Sequence, residues 1–397
     1  MKKILVVCQY FYPENFQITP ICEQLVSDGY DVTVLTGLPN YPSGIVPEDY
    51  KKGQRRDEII NGVRVLRVNE IGRKKGPIYL ALNYLSFLFS SCNAIKKMRN
   101  DYDLVFVYQL SPVLMGIPGI KFAKKYKLPL FLYCCDLWPE SLKMYIRNEN
   151  NILYKFIKKI SYDIYSKCSL IAVQSTSFKP YLIETHNIPE NKIVYLPAFA
   201  DEEYLNIEAK LPNDETNFIF LGNLGLAQNL FKVLEAIKNL NKDLKFKVHF
   251  VGDGVCLEDM KKYVLTNKLS DKVIFYGRRP VEEMIQFYNM ADACLVSLKA
   301  DNKTGLTLPS KVQGYMAAGK PIFGMIDGSA MDVIKESNCG GCVSSDDIDS
   351  YTKLLEDFIT NRNKYIECGM NGRKYFVENF KKDVFIKNLE DIINNLE

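Results

Sequence analysis

At 397 residues the chain is too long for one ordinary core, and roughly 100 to 200 residues per domain points to two domains. With 47% hydrophobic and 25% charged residues and no low-complexity tract, it is not a disordered chain. Charge is uneven: residues 1 to 200 hold 26 Lys and Arg against 17 Asp and Glu, and the remainder 25 against 30. A basic half beside an acidic half can orient a protein on an anionic membrane. Nucleic acid would suit the same charge, but no nucleic-acid-binding motif accompanies it, so none is expected as a partner.

The opening MKKILVVC has an apolar run that ends at Cys8, too short for a secretory core and suited to a first buried strand. Eleven cysteines read as reduced thiols of a cytoplasmic protein, the adjacent Cys134 and Cys135 included. The two histidines, His186 and His249, fall in different predicted domains, which excludes a Ser/His/Asp triad and a His-rich metal site.

Apolar runs at 4–8, 32–36, 63–68, 104–108, 130–134, 170–173 and 193–196 alternate with helical patterns and predict a parallel sheet covered by helices. The first helix presents Ile18, Ile21, Cys22, Leu25 and Val26 on one face, with Gly29 just past its end. After Pro197 the polar stretch ADEEYLNIEAKLPNDETN reads as a linker. Strands near 218–221, 247–251, 273–276, 293–296, 321–325 and 341–343 then predict a second doubly wound sheet. The expected fold class is α/β, two Rossmann-like domains facing a central cleft: residues 1–200, completed by a C-terminal helix at 380–397, and residues 201–379. The cleft is the expected active site.

Residues 77–95, PIYLALNYLSFLFSSCNAI, form the most apolar helical stretch, flanked by Arg73, Lys74, Lys75 and by Lys96, Lys97, Arg99. Asn83, Ser86, Ser90 and Ser91 interrupt it, which disfavours a spanning helix. Two readings remain: a helix in the membrane interface and a helix packed on the sheet.

Four constellations carry chemistry. In FIFLGNLGLAQNL a buried strand runs into Gly222, Asn223, Leu224 and Gly225, and a helix is expected near Ala227. Glycines let the backbone approach a ligand, and free amides at a helix start favour an anion, so the turn is a candidate pyrophosphate cradle; tight strand-to-helix turns contain glycine for other reasons too. It lacks the Gly-Lys-Ser/Thr of a P-loop and a clean GxGxxG. In TLPSKVQGYMAAGKP, Ser310 and Lys311 at a helix start offer a hydroxyl and a cation to phosphates, although an exposed lysine is the ordinary alternative. In YCCDLWPESL, Asp136 ends a buried strand beside the lone Trp138, either as a ligand to substrate or as a helix cap. In YFYPENFQ, Pro13, Glu14 and Asn15 precede the first helix, and Asn40 and Tyr41 lie on an NYPSG loop; Asn15 also suits a helix cap.

The segments GNLGLAQNL, VGDG, FYGRRPVEEMIQFYNMADACLV and LPSKVQGYMAAGKP resemble, in this order and spacing, the donor-binding half of glycosyltransferase family 4. YFYPENF, LTGLPNYPSG and DLWPESL resemble its O-antigen and capsule subgroup, which includes N-acetyl-fucosamine transferases. The resemblance implies a GT-B fold and retaining, metal-independent transfer from a nucleotide diphosphate sugar, UDP-linked, with no cofactor. The acceptor would be a polyprenyl-diphosphate-linked saccharide on the N-terminal domain, at the cytoplasmic face of the cell membrane; a water-soluble acceptor is the alternative. Donor contacts would come from Gly222, Asn223, Leu224, Gly225, Gln228, Gly252, Asp253, Arg278, Leu308, Pro309, Ser310, Lys311 and Gly314. Acceptor contacts would come from Pro13, Glu14, Asn15, Asn40 and Tyr41, with Asp136 and Lys311 catalytic.

Asn223 and Gln228 stand where many members carry Arg and Lys, which leaves charge neutralisation to Lys311 and Arg278. Gly314 and Leu306 stand where members usually carry Glu. Loss of a ribose contact at 314, worth about 1 to 3 kcal/mol, would weaken donor binding tenfold or more. A weakened nucleotide-sugar-binding partner of a polysaccharide assembly complex and a GT-B-shaped sugar-nucleotide epimerase are the rival readings.

Overall fold

A computed structural model describes residues 1–74, 76–146, 148–208, 214–299 and 306–396. They form two compact units, residues 1–196 with 386–397 and residues 197–385. In the first unit the chain runs β1 (Lys3–Val7), α1 (Ile18–Ser27), β2 (Asp31–Thr36), β3 (Asp57–Ile60) and β4 (Val63–Arg67). It continues through α2 (Pro77–Lys97), β5 (Leu104–Gln109), α3 (Gly116–Tyr126), β6 (Leu130–Cys134), α4 (Ile152–Ser166), β7 (Leu170–Val173), α5 (Phe178–His186) and β8 (Ile193–Tyr195).

The sheet order is β3-β4-β2-β1-β5-β6-β7-β8, and all described pairings are parallel except β3 with β4. The central strands are apolar along their whole length because helices cover both faces: Ile4, Leu5, Val6, Val7, Leu104, Val105, Phe106 and Val107 are fully buried. Each such side chain contributes about 1.5 to 3 kcal/mol by leaving water.

Strand β3 is absent from the apolar-run reading because DEII puts charge on an edge, and Ile59 faces solvent. Its signal is local: Asn61 and Gly62 take φ of 48° and 84°, the left-handed pair of a two-residue hairpin, and bring Ile60 opposite Val63. Helix α1 buries Ile18, Ile21, Cys22 and Leu25, and Gly29 at φ 96° closes it.

The second unit runs β9 (Thr216–Leu221), α6 (Leu230–Asn239), β10 (Phe246–Val251), α7 (Leu257–Thr266), β11 (Val273–Gly277), α8 (Met284–Met290) and β12 (Ala293–Ser297). Then follow α9 (Ser310–Ala317), β13 (Ile322–Met325), α10 (Ser329–Glu336), β14 (Gly340–Val343), α11 (Ile348–Thr360) and α12 (Cys368–Asn379). Its described strands are all parallel, in the order β11-β10-β9-β12-β13-β14.

The predicted linker is a correction: Tyr204 and Ile207 are buried in the core of the second unit, so residues 202–207 pack with the domain they precede. Residues 209–213 of that stretch lie outside the described residues. Helix α13 (Lys382–Asn395) begins in the second unit and ends in the first, where Lys2 Nζ donates to Ile393 O at 2.5 Å and Leu389 and Ile393 are fully buried.

Helix α2 carries apolar residues on both its buried and its exposed face, and buries two polar ones. Asn83, Phe87, Ser91, Cys92 and Ile95 are its buried residues, whereas Ile78, Tyr79, Leu82, Leu85 and Phe89 are exposed. By length and composition it is the candidate span among the described residues. Asn83, however, is hydrogen-bonded to Gln9, Glu70 and Ile71, and Ser91 to Phe87 within the helix, which fixes α2 as a wall of the first unit. Lys75, part of the basic flank, lies outside the described residues.

Candidate active site

In an open α/β sheet the ligand crevice lies beyond the carboxyl ends of the strands, where strand order reverses. In the second unit that point falls between β9 and β12, and β9 delivers the glycine turn there. Gly222 takes φ 122° and its N–H donates to Val251 O at 2.9 Å; Leu224 N donates to Asp253 O at 2.9 Å. The turns at 222–225 and 252–254 thus lie against each other. A Cβ on Gly252 would be 1.8 Å from Gly222 O, and one on Gly254 would be 2.5 Å from Leu224 O. Glycine is required here by contact between backbones.

The α-helix after this turn starts at Leu230, not near Ala227. Residues Leu226–Gln228 form a single 3-10 turn, and Asn229 at φ 54° breaks the chain before α6. Asn229 is held there by its Nδ2, which donates to Ser345 O at 2.7 Å. The expected row of helix amides is therefore replaced by the glycine turn and a cation. The Leu224 side chain is fully buried in the apolar core, which leaves its backbone for any ligand contact.

Lys311, in the first turn of α9, reaches this turn. Its ammonium nitrogen lies 3.5 Å from where a Cβ on Gly222 would stand, 3.7 Å from the centre of the Phe220 ring and 2.8 Å from Gln228 Oε1. Its partners among the described residues are neutral, and burial pushes its pKa down from 10.5 to about 7. Tyr315 fixes the register of α9 on the sheet, accepting from Leu221 N at 2.9 Å. Ser310 is exposed at the helix start, and Leu308 and Pro309 are half-buried before it.

Asn223 folds back, its Nδ2 2.6 Å from a Cβ built on Gly225. Asp253 is exposed and accepts from Gly254 N at 2.7 Å. Arg278 is exposed just past β11. At Gly314 the direction of a side chain is taken by the Tyr288 hydroxyl, 3.0 Å from an added Cβ, so a larger residue would meet a buried tyrosine. Tyr288, Tyr315 and Phe220 lie inside the motif segments, but their roles arise from packing, which residue type alone does not announce.

In the first unit the strand order reverses between β1 and β5. Asp136 follows β6, and its Oδ2 accepts from Ser111 Oγ at 2.8 Å. Ser111 in turn accepts from Trp138 Nε1 at 3.1 Å, and Gln109 Nε2 donates to Asp136 O at 2.9 Å. Burial raises the Asp136 pKa, and the Ser111 hydrogen bond opposes that shift. Asp136 caps no helix: the short 3-10 turn at Glu140–Met144 is preceded by Pro139. Ser111 thus orients the carboxylate, through its hydroxyl to Oδ2 and through a backbone hydrogen bond.

The acceptor-side candidates divide. Glu14 and Asn40 are buried: Glu14 Oε1 accepts from Asn40 N at 2.8 Å and Tyr41 N at 2.6 Å, and so straps one loop to the other. They hold the site's wall and do not face solvent. Pro13, Asn15 and Tyr41 are exposed. Asn15 is not a helix cap, because the cap position of α1 is Gln17. Tyr41 packs on Tyr10 and Phe16, ring centres 5.8 and 5.4 Å away, and under the Arg73 guanidinium at 5.7 Å. His186 and His249 are both buried and bonded to Trp138 O and to Asn217 and Tyr276, as structural residues.

Two doubly wound, Rossmann-like domains of this kind define the GT-B glycosyltransferase fold. Anabaena HepE in complex with UDP aligns at a TM-score of 0.70 and 13% identity, covering 100% of both chains. Residues 17–204 match the family model described as Glycosyltransferase Family 4, and residues 202–375 match that of Glycosyl transferases group 1. The chain is a glycosyltransferase of the family 4 type. It is 26% identical over 295 residues to a probable glycosyltransferase, WbjE, of Pseudomonas aeruginosa, spanning 70% of this chain and 71% of that one. It is also 26% identical over 249 residues to a Campylobacter jejuni α-1,4-N-acetyl-D-galactosaminyltransferase that acts on a diphospho-undecaprenol-linked saccharide. That match covers 61% of this chain and 65% of the relative.

Proposed function

We propose that the protein transfers a sugar, with retention of anomeric configuration, from a UDP-linked donor to a polyprenyl-diphosphate-linked saccharide in surface polysaccharide synthesis. The carrying observation is the approach of the Lys311 ammonium to the Gly222 turn, since a diphosphate laid against that turn would meet both backbone and cation. An N-acetylated deoxyhexosamine is the proposed sugar. Support for a lipid-linked acceptor comes from the Campylobacter relative, and support for UDP from the HepE complex.

In this reading the leaving diphosphate takes the acceptor proton as the acceptor attacks on the same face. The protein supplies orientation and charge stabilisation. Lys311 and Arg278 neutralise the departing diphosphate without a metal ion, and Asp136, oriented by Ser111, directs its carboxylate to substrate hydroxyls. Saturation-transfer binding across UDP- and GDP-sugars, followed by transfer to undecaprenyl-diphosphate N-acetylglucosamine in EDTA, tests it. Binding of a UDP-sugar and product formation are expected. Nucleotide binding with no transfer would favour the binding-partner reading that Gly314 and Tyr288 suggest, and interconversion of free sugar nucleotides would favour an epimerase.

The proposed site of action is the inner membrane face, with α2 in the interface. Its outward Ile78, Leu82, Leu85 and Phe89 would enter the acyl boundary, with Lys96 and Lys97 on phosphates. Changing Ile78, Leu82 and Phe89 together to Ser is expected to cut binding to vesicles of 30% anionic lipid about tenfold or more, equivalent to ~1.4 kcal/mol. Circular dichroism should be unchanged. Undiminished co-sedimentation would remove α2 from the interface.

A further inference from the structure

We propose that Glu70 is a positioning residue of the acceptor side: its buried carboxyl gathers the side-chain amides of Gln9, Asn40 and Asn83 and so fixes the loop that presents Tyr41. This rests on the reading that the acceptor binds the first unit. Glu70 lies three residues beyond β4 and is 8% exposed. One oxygen, Oε1, accepts from Gln9 Nε2 at 2.7 Å, from Asn40 Nδ2 at 3.4 Å and from Asn83 Nδ2. These three amides come from the end of β1, the loop after β2 and the inner face of α2, pieces that nothing in their local sequence holds together.

The network continues outward. Asn40 Nδ2 also donates to Leu38 O at 2.8 Å, Asn40 Oδ1 accepts from Arg73 N at 2.8 Å, and Asn83 Nδ2 donates to Ile71 O at 2.7 Å. Gly44 and Gly72 lie backbone to backbone, a Cβ on Gly72 falling 2.2 Å from Gly44 O. The loop 37–45 is therefore clamped to residues 70–74 along its length, and Tyr41 is carried at its exposed tip.

The second carboxyl oxygen, Oε2, has no hydrogen-bond partner among the described residues and lies 1.6 Å from where a Cβ on Gly37 would stand. An ionised carboxylate with a bare buried oxygen is costly, and burial raises the pKa of Glu70 to about 8. The neighbouring Glu14 raises it further, while the Gln9, Asn40 and Asn83 amides oppose the shift. The other ionisable groups facing this pocket are Tyr10 and Tyr84, both influenced by Glu70, with Arg73 beside them and Arg67 beside Glu14. Near neutrality Glu70 is thus a neutral acid.

Because the folded pKa lies above the usual carboxyl value, the stabilisation is fully present below about 4.5 and is lost as pH rises through about 8. Glutamine copies the neutral acid in shape, so Glu70→Gln should keep the loop and remove its alkaline sensitivity. Glu70→Ala should lose the loop.

The test is amide hydrogen exchange on the full chain, followed by transfer kinetics with undecaprenyl-diphosphate N-acetylglucosamine. Protection factors at Asn40, Tyr41, Gly44 and Arg73 are expected to fall about tenfold in Glu70→Ala, and in the wild type between pH 7 and 9, but not in Glu70→Gln. The Michaelis constant for the acceptor should rise tenfold in Glu70→Ala, with that for the donor within twofold of wild type. Gly37→Ala, which expels the carboxyl, should resemble Glu70→Ala alone and add little on top of it. Unchanged protection in Glu70→Ala, or the same alkaline loss in Glu70→Gln, would overturn the proposal. If wild type transfers nothing to this acceptor, the transferase reading is at fault, and the exchange arm still decides the role of Glu70.

Discussion

Replacing Lys311 by Met is expected to lower kcat/KM by about 10²- to 10³-fold, the loss seen when one preorganised donor to a developing negative charge is removed. Among the described residues the ammonium sits beside the Gly222 turn with neutral Gln228 and the Phe220 ring as its partners. It is kept short of counter-charge until a diphosphate arrives, and this gives the variant two further signatures. Without ligand, Lys311→Met should melt higher than wild type, because a desolvated amine is replaced by an apolar side chain of similar length. The wild-type affinity for UDP should be flat below about pH 7 and weaken towards tenfold per pH unit above it, since binding must then recruit a proton to Lys311. Titration calorimetry in buffers of different ionisation enthalpy reads that proton directly. Asn15→Ala, at an exposed residue on the acceptor side, should lose less than Lys311→Met; equal rates for the two variants would remove Lys311 from the site.

The second large effect is expected at Gly252. Its φ of 144° is strained for any L side chain, and the added methyl of Gly252→Ala would lie 1.8 Å from Gly222 O and 2.8 Å from Gly222 C. No rotamer relieves contact with a backbone. Strain of about 1 to 3 kcal/mol combines with an overpacking cost of about 1 to 3 kcal/mol. A loss of about 3 kcal/mol in urea unfolding is expected, together with loss of UDP binding wherever the domain remains folded. Gly29→Ala isolates the conformational part, because Gly29 has φ 96° but nothing within 4 Å of an added Cβ. Equal losses for the two variants would show that the 222 and 252 turns do not depend on each other.

These cases show what the sequence makes legible. The buried strands are readable because a parallel sheet covered on both faces demands unbroken apolar runs, such as ILVV in β1 and FIFL in β9. The glycine turn and Lys311 are readable because backbone approach and charge each demand a residue type. Strand β3 escapes an apolar-run reading because it lies at an edge, although Asn61-Gly62 announces the hairpin. The α6 start is misread at Ala227 because the break depends on Asn229 reaching Ser345, 116 residues away. Glu14 and Asn40 have the right residue types for ligand contact, but their polar groups are consumed in joining two loops. Glu70 has no motif at all; its setting exists only when β1, the loop after β2 and α2 come together.

Helix α2 has a practical consequence for work with the purified protein. Asn83 and Ser91 point inward, while Ile78, Tyr79, Leu82, Leu85 and Phe89 form an outward, largely apolar row. In detergent-free buffer such a row would pair with its equal on another molecule. Dimers or larger species seen on gel filtration would then report an uncovered greasy strip, and a mild non-ionic surfactant should dissolve them without loss of catalysis.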